Sequence, residues 1–373
     1  MLKTIVIGIG AAGNKAAIAL AENGVVSSDE IMLINSTLKD VPLKYHDFAT
    51  ELVGFNGCAK KRGIARDMMR NNINSGTIDP QSLVKNTDVT FFTIVFSAEG
   101  GTGSGSSIEL ANALYDAGAN VHLTVLCGFE DDLQGMKNTV DLFNEIHNEN
   151  VYTVDTISNK KFLKTCNGNK RKAEEAANIE FCERMKILLG LNLVDGSDNI
   201  DDMDLTDVVN EPGYMDIVHG EFGRPSNIEE FNTEVKSIID GSKSYPSDAS
   251  CTKTAVILNR QEKIADNTNY AEDLIQYVYG TRQFGATHTQ EVVESPNYIN
   301  IIVSGMNLPE EAVKDVYEEY QKTAEANRNR TQLNDNSFGF ATDNDSAIGG
   351  VRRQRGGRRN SGTFTNTSKA EML

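Results

Sequence analysis

The chain has 373 residues, 39% of them hydrophobic, with 36 Lys and Arg against 53 Asp and Glu and a formal net charge of −17. That length supports the core of two domains, and no apolar run approaches the ~18 residues that would span a bilayer. The charge is unevenly placed. Residues 346–373 carry six basic side chains and one acidic, a net +5 that leaves −22 for the rest, so the body should be repelled by DNA and by anionic membranes. Five cysteines, Cys58, Cys127, Cys166, Cys182 and Cys251, are scattered with no CxxC pair. Buried reduced thiols are expected, and neither a zinc site nor a disulfide framework is. Residues 1–25 read as strand, turn and helix rather than a signal peptide, and a cytoplasmic location is expected.

In chain order, residues 2–7 form the first strand pattern, and Gly8-Ile9-Gly10-Ala11-Ala12-Gly13 follows it as a glycine turn. Strand patterns recur at residues 30–35, 89–96 and 121–126, with helical patterns between them. This alternation predicts a doubly wound, mostly parallel α/β sheet covered on both faces. After the third strand comes a second glycine turn, Glu99-Gly100-Gly101-Thr102-Gly103-Ser104-Gly105, and then an amphipathic helix over residues 108–115. Residues 167–172 read as a loop. A long central helix is expected over residues 173–189, with Ala177, Phe181, Met185 and Leu188 at helical spacing. Residues 191–207 read as an acidic loop entering the next helix. A smaller α+β second domain follows, with strands at 254–258 and 298–304 and a helix at 270–279. Asn307 and Glu310 suggest a capping box that opens a C-terminal surface helix. Beyond about Arg330 the chain is polar and glycine-rich, and it reads as disordered. The expected divisions are 1–170, nucleotide-binding domain; 171–205, central helix and acidic loop; 206–306, second domain; 307–331, surface helix; and 332–373, a disordered basic tail.

Strand, glycine turn and helix together present free backbone N–H groups and the positive end of a helix dipole to an anion. Two such turns on one sheet make a nucleotide the leading ligand. Gly8, Gly10 and Gly13 also fit a dinucleotide fingerprint, but that fold needs an acidic residue at the end of the second strand, where this chain has Asn35. No GxxxxGK[ST] occurs, so no Walker lysine is present. Asp202, Asp204 and Asp207 either serve hydrolysis or cap a helix. Lys60, Lys61 and Arg62 either face phosphate or form a solvated helix start. The histidines, His46, His122, His147, His219 and His288, are dispersed and form no catalytic constellation with Cys or Ser.

The string Gly-Gly-Thr-Gly-Ser-Gly at residues 100–105 resembles the phosphate loop of the tubulin/FtsZ superfamily, with Glu99 a departure where the family has a small residue. Other parts follow in the family's order over roughly residues 1–330. Gly10, Ala11, Ala12, Gly13 and Asn14 resemble its first nucleotide loop, and Gly57 lies in the position of its γ-phosphate loop. Gly128-Phe129-Glu130 resembles the sugar-contacting loop. Ile157-Ser158-Asn159-Lys160 resembles its Ile-Pro-Asn-Asp motif, with serine replacing proline. Ala176-Ala177-Asn178 falls where the family contacts guanine, at the expected start of the long helix. The segment 202–208 resembles its acidic catalytic loop. The chain looks most like the plasmid- and phage-segregating tubulins called TubZ.

The resemblance implies a GTPase that takes GTP/GDP with Mg2+. Its nucleotide contacts would come from Gly10, Ala11, Ala12, Gly13, Asn14, Asn35, Gly57, Gly100, Gly101, Thr102, Gly103, Ser104, Gly105, Glu130, Asn159 and Asn178. Its catalytic aspartates would be Asp202, Asp204 and Asp207, with no protein-built metal site. It further implies head-to-tail filaments in which the acidic loop of one subunit meets the nucleotide of the next. The basic tail suggests a grip on a DNA-binding adaptor or an adaptor–DNA complex, and DNA segregation, with no membrane partner; the bland reading of the tail is a solubilising segment. The alternative function is an FtsZ-like division-ring protein.

Overall fold

Strands that are apolar without alternation are covered on both faces of a sheet, and Phe91–Ser97 and Val121–Cys127 are of this kind. In the computed structural model every residue of the second is buried, and every residue of the first except Ser97. The structure describes residues 1–149, 151–193, 199–242, 251–261, 287–293, 295–307 and 310–337. The first half runs β1 (Thr4–Ile9), α1 (Gly10–Glu22), β2 (Ile31–Asn35), β3 (Ala49–Glu51), α2 (Arg62–Asn74), α3 (Pro80–Asn86), β4 (Phe91–Ser97), α4 (Thr102–Asp116), β5 (Val121–Cys127), α5 (Leu133–Glu149) and β6 (Thr153–Ser158). There follow α6 (Asn159–Leu163), α7 (Lys170–Leu188), α8 (Asp202–Val209), β7 (Gly213–Glu221), α9 (Ile228–Ser242), β8 (Lys253–Arg260), β9 (Thr287–Val293), β10 (Tyr298–Met306) and α10 (Glu310–Ser337).

Among the described residues the strands form one sheet in the order β3-β2-β1-β4-β5-β6-β7-β10-β8-β9. The run from β3 to β7 is parallel, β10 is antiparallel to both its neighbours, and β8 and β9 are parallel. Period-two alternation sends successive side chains to opposite faces. Val6, Phe91 and Val95 join a core with Phe181 and Met185 of α7 and Leu205 of α8. Ile7, Ile9, Phe92, Ile94 and Phe96 join a second core with Met69, Leu110 and Leu142 of α2, α4 and α5. A third core lies between the later strands and α9, around Phe231, Val235 and Ile239. Burying each large side chain of this kind stabilises the fold by about 1.5–3 kcal/mol. All of the sheet lies in the unit Met1–Ala326; within the second unit, Asn327–Leu373, the described residues 327–337 are helical.

β6 and β7 pair over two residue positions, Thr153↔Gly213 and Val154↔Tyr214. A buried polar cluster flanks this join. The Arg184 guanidinium, 3% exposed, donates to Asp155 Oδ2 at 3.2 Å, Glu180 Oε1 at 2.8 Å and the Thr156 carbonyl at 3.0 Å. His122 Nε2 lies 3.1 Å from Asp155 Oδ1, and His219 Nε2 lies 3.2 Å from Glu180 Oε2. Burial alone would raise the Glu180 carboxyl, but the His219 hydrogen bond and the Arg184 charge outweigh it and hold the group at about 2.

Several local expectations shift. The central helix begins at Lys170 rather than 173, because Asn169 caps it through Lys172 N–H at 3.1 Å and the polar residues 170–172 become its first turn. The acidic stretch expected as a loop to residue 207 is helical from Asp202. Strands β6, β7 and β9 and helix α9 carried no expectation. The last helix runs to Ser337, past the expected end at 331. The expected helix at 270–279, the capping box across Leu308 and Pro309, and the tail from residue 338 lie outside the described residues.

Candidate functional site

Each glycine turn opens a helix at the C-terminal end of a parallel strand: β1 leads directly into α1, and β4 into α4. Neither helix has a side-chain cap at its N-terminus or an acidic residue in its first turn. Neither helix itself therefore supplies a cap or an anion to its first N–H groups and positive dipole end. The two turns are in contact. Gly10 has φ +75°, and a Cβ there would stand 3.1 Å from Gly103 N; a Cβ on Gly13 would stand 2.1 Å from the Val95 carbonyl oxygen. Ser36 Oγ and Thr102 Oγ1 are 3.2 Å apart, and the Ser36 N–H donates to Asn35 Oδ1 at 2.9 Å. Gly10, Ala11, Ala12, Gly13, Asn14, Asn35, Gly100, Gly101, Thr102, Gly103, Ser104 and Gly105 therefore gather at one edge of the sheet.

Two buried amides in this gathering lack partners. Asn14, 2% exposed, has neither amide atom hydrogen-bonded among the described residues, and Asn35 Nδ2 is likewise unpaired. An unpaired buried polar atom costs about 1–3 kcal/mol, a cost that a polar ligand at these turns would relieve.

The segment after β3 packs on the second turn. A Cβ on Gly101 would lie 2.7 Å from Lys60 Cα. Ala59 and Lys60 hold left-handed backbone at φ +46° and +58°, and Gly57 has φ +92°. Lys60 pairs with Asp132, whose carboxyl its hydrogen bond pulls below the ordinary value. Arg62 is neither solvated nor free: it is 8% exposed, donates to the Ser104 carbonyl from Nε at 3.2 Å and Nη2 at 3.0 Å, and pairs with Glu145. Lys61 is exposed at the N-cap of α2. Glu99 turns away from the glycines and across Gly128, accepting the Glu130 N–H at 2.6 Å. Burial raises its carboxyl above the ordinary value. Glu130 also pairs with Lys160, next to Asn159 at the start of α6. Asn178 is half-buried in the middle of α7, not at a helix start; the cap at Asn169 moved that start upstream.

Sequence reasoning missed three members of this neighbourhood: Ser36, Asn138 and the anchoring role of Arg62. Asn138, 1% exposed, donates to the carbonyls of Lys60 at 2.9 Å and Glu99 at 3.1 Å, joining two loops. No local motif marks an asparagine in a helix for that work.

The aspartates stand elsewhere. Asp201 caps α8, accepting from Asp204 N–H at 2.9 Å, while Asp204 Oδ2 accepts the Asp201 N–H at 3.2 Å. Asp204 thus takes the capping role expected as one alternative. Its other oxygen, Oδ1, lies 3.1 Å from His288 Nδ1. Asp207 Oδ1 accepts from Lys253 Nζ at 2.7 Å, which lowers its carboxyl. Asp202 Oδ1 lies 2.5 Å from the Met1 nitrogen, just before β1. The acidic helix therefore meets the N-terminal end of β1, and the glycine turns meet its C-terminal end. The six residues of β1 span about 20 Å, so one chain keeps the two groups apart.

No protein-family model matches the sequence. A curated relative, the tubulin-like protein CetZ of Pyrococcus furiosus, is 28% identical over 225 residues, covering 57% of this chain and 59% of that protein. The aligned part thus spans less than two-thirds of the relative's length. Among solved structures, a GTPγS-form protofilament of Bacillus thuringiensis serovar israelensis TubZ covers 89% of this chain and 94% of its own, with TM-score 0.70 and 18% identity. A GTPγS-bound protofilament of CetZ2 from Haloferax volcanii covers 87% and 100%, with TM-score 0.67 and 17% identity. The chain has the tubulin/FtsZ fold. In that fold the gathered turns lie at the C-terminal edge of the parallel strands, where ligands of open α/β sheets bind.

Proposed function

We propose that the chain is a tubulin-like GTPase that binds GTP at its two glycine turns and assembles head to tail into filaments. What carries the reading is the separation along β1: two uncapped helix N-termini at one end and an aspartate-bearing helix at the other. Each subunit holds both halves of a hydrolytic site at opposite ends, so a contact between successive copies completes it. A repeated contact of this kind that does not close makes a filament. The similar protofilament structures, one GTPγS-bound and one in a GTPγS form, support assembly of such a chain with a guanine nucleotide.

In this reading the N–H groups of residues 101–104 and 10–13 hold phosphate oxygens, Thr102 adds a hydroxyl, and the Asn14 amide finds the partners it lacks. The Ser104 hydroxyl, expected to face phosphate, is buried and donates to the Gly100 carbonyl instead. The carboxylates of Asp204 and Asp207 orient an attacking water for the neighbouring subunit's nucleotide, the positioning that phosphoryl transfer requires. Among the described residues no group of three or more His, Cys, Asp or Glu side chains could hold a metal. Mg2+, if it enters with the nucleotide, would supply neutralisation of the phosphate charge. No helix among the described residues is long and apolar enough to cross a membrane.

We assign the cargo from the tail. Arg352, Arg353, Arg355, Arg358 and Arg359 form the chain's one dense basic patch on an otherwise acidic protein, and it suits DNA or an adaptor–DNA complex. Segregation of plasmid or phage DNA is the role this favours over a division ring. Sedimentation with GTP, GDP and GTPγS tests the whole reading. Pelleting should need GTP or GTPγS and reverse as GTP is consumed; equal pelleting without nucleotide, or a preference for ATP, would overturn it.

A further inference from the structure

We propose that His288 is a positioning residue of the acidic helix, fixing the carboxylates of Asp204 and Asp207 in the orientation they offer to the next subunit's nucleotide. The inference rests on the function proposed above and adds to it a residue that no sequence motif marks.

His288 is the second residue of β9 and pairs with Ala255 of β8. Lys253 opens that neighbouring strand, so two adjacent strands bring a histidine and a lysine to one face of α8. The imidazole lies between two carboxylates three residues apart: Nδ1 is 3.1 Å from Asp204 Oδ1, and Nε2 is 3.7 Å from Asp207 Oδ2. Its side chain is 20% exposed, so it sits largely behind the aspartates, which are 35% and 45% exposed. Lys253 Nζ completes the group, 2.7 Å from Asp207 Oδ1 and 2.8 Å from Glu211 Oε2.

The capping box holds one oxygen of Asp204 and leaves its carboxylate free to swing about that single bond, since a carboxylate torsion is broad and two-fold. A second contact, His288 Nδ1 at 3.1 Å from the other oxygen, limits that swing and holds the plane. Both carboxylates remain partly exposed, Asp204 at 35% and Asp207 at 45%, and so stay open to a second copy. Lys253 does the corresponding work for Asp207. Preorganisation of this kind acts on the rate of a water-positioning step and little on nucleotide affinity, because the nucleotide turns lie at the other end of β1.

The test compares His288→Ala and His288→Asn with the wild type, Asn being chosen because its amide N–H can replace Nδ1–H toward Asp204. Thermal melting, affinity of the unassembled protein for a fluorescent GTP analogue, the sedimented fraction and GTP turnover per sedimented subunit are read together. His288→Ala should keep affinity and sedimentation within about twofold, yet lose turnover per sedimented subunit by roughly 10- to 100-fold, the range for losing an orienting partner. His288→Asn should recover most of it. In an Asp204→Asn background, His288→Ala should cost much less than in the wild type, since both act through the same carboxylate.

Unaltered turnover in His288→Ala, or a loss that merely follows the melting temperature with Asn no better than Ala, would overturn the positioning role alone. A wild type that neither sediments nor turns over GTP would overturn the function beneath it as well.

Discussion

Adjacent glycines in the second turn should respond oppositely to the same added methyl group. A Cβ on Gly100 meets only Ser97, at 3.9 and 4.0 Å, whereas one on Gly101 lies 2.7 Å from Lys60 Cα and 2.9 Å from Lys60 C and Lys61 N. Gly101 has φ −79°, so alanine fits its backbone and the effect is purely one of contact. Restoring ordinary carbon contact near 3.5 Å requires the Lys60 backbone to retreat by about 0.8 Å. That backbone is already in the left-handed region at two successive non-glycine residues, and Asn138 holds it through the Lys60 carbonyl. Overpacking of this size costs about 1–3 kcal/mol. Gly101→Ala should therefore weaken GTP by roughly tenfold or more, about 1.4 kcal/mol per decade, and Gly100→Ala by less than about twofold on the same scale. Titration of unassembled protein with a fluorescent GTP analogue reads both. Equal affinities for the two variants, or a weaker Gly100→Ala, would refute packing of residues 57–61 on the turn as the cause.

Other outcomes follow from the buried charges. Glu180 is held at about 2 against an ordinary 4.5. A depressed carboxyl contributes stability that is present above the ordinary value and lost as pH falls toward 2, worth about 3 kcal/mol. Glu180→Gln should thus be destabilised by roughly that amount at pH 7 and approach the wild type near pH 2 in denaturant unfolding; a pH-independent gap would contradict the sign. Glu99 is shifted the other way, upward by burial, so its ionisation on the alkaline side of the ordinary value opposes folding. Glu99→Gln should be at least as stable as the wild type at pH 7, with any advantage vanishing below about pH 4; a clear loss at pH 7 alone would show that the Glu130 N–H bond outweighs burial.

The parallel sheet and both glycine turns were legible because they are written locally. Apolar runs such as residues 91–96 and glycines at fixed spacing act within a few residues of themselves. The later strands were harder to read: β9, Thr-His-Thr-Gln-Glu-Val-Val, alternates weakly, and its pairing with β8 joins segments about thirty residues apart in the chain. The cap at Asn169 was hidden by a polar, glycine-containing stretch that composition assigns to a loop. The aspartates were singled out, but their partners Lys253 and His288 were not, since only strand register brings those side chains to α8. Arg62 was misjudged between phosphate ligand and solvated helix start; burial against Ser104 and Glu145 depends on tertiary packing that no local pattern carries.

The separation along β1 makes the most direct test a mixing experiment. Thr102→Ala damages the glycine-turn half of the site and Asp207→Ala the acidic half, on elements that lie toward opposite ends of β1. Each alone should bind into filaments but turn over GTP slowly. Mixed in equal amounts, about one interface in four joins an intact turn to an intact aspartate, so turnover should rise above the sum of the two toward roughly a quarter of the wild-type rate. Turnover that stays at the sum while the variants co-sediment, or full GTPase activity in wild-type protein held below its assembly concentration, would contradict a site shared between subunits.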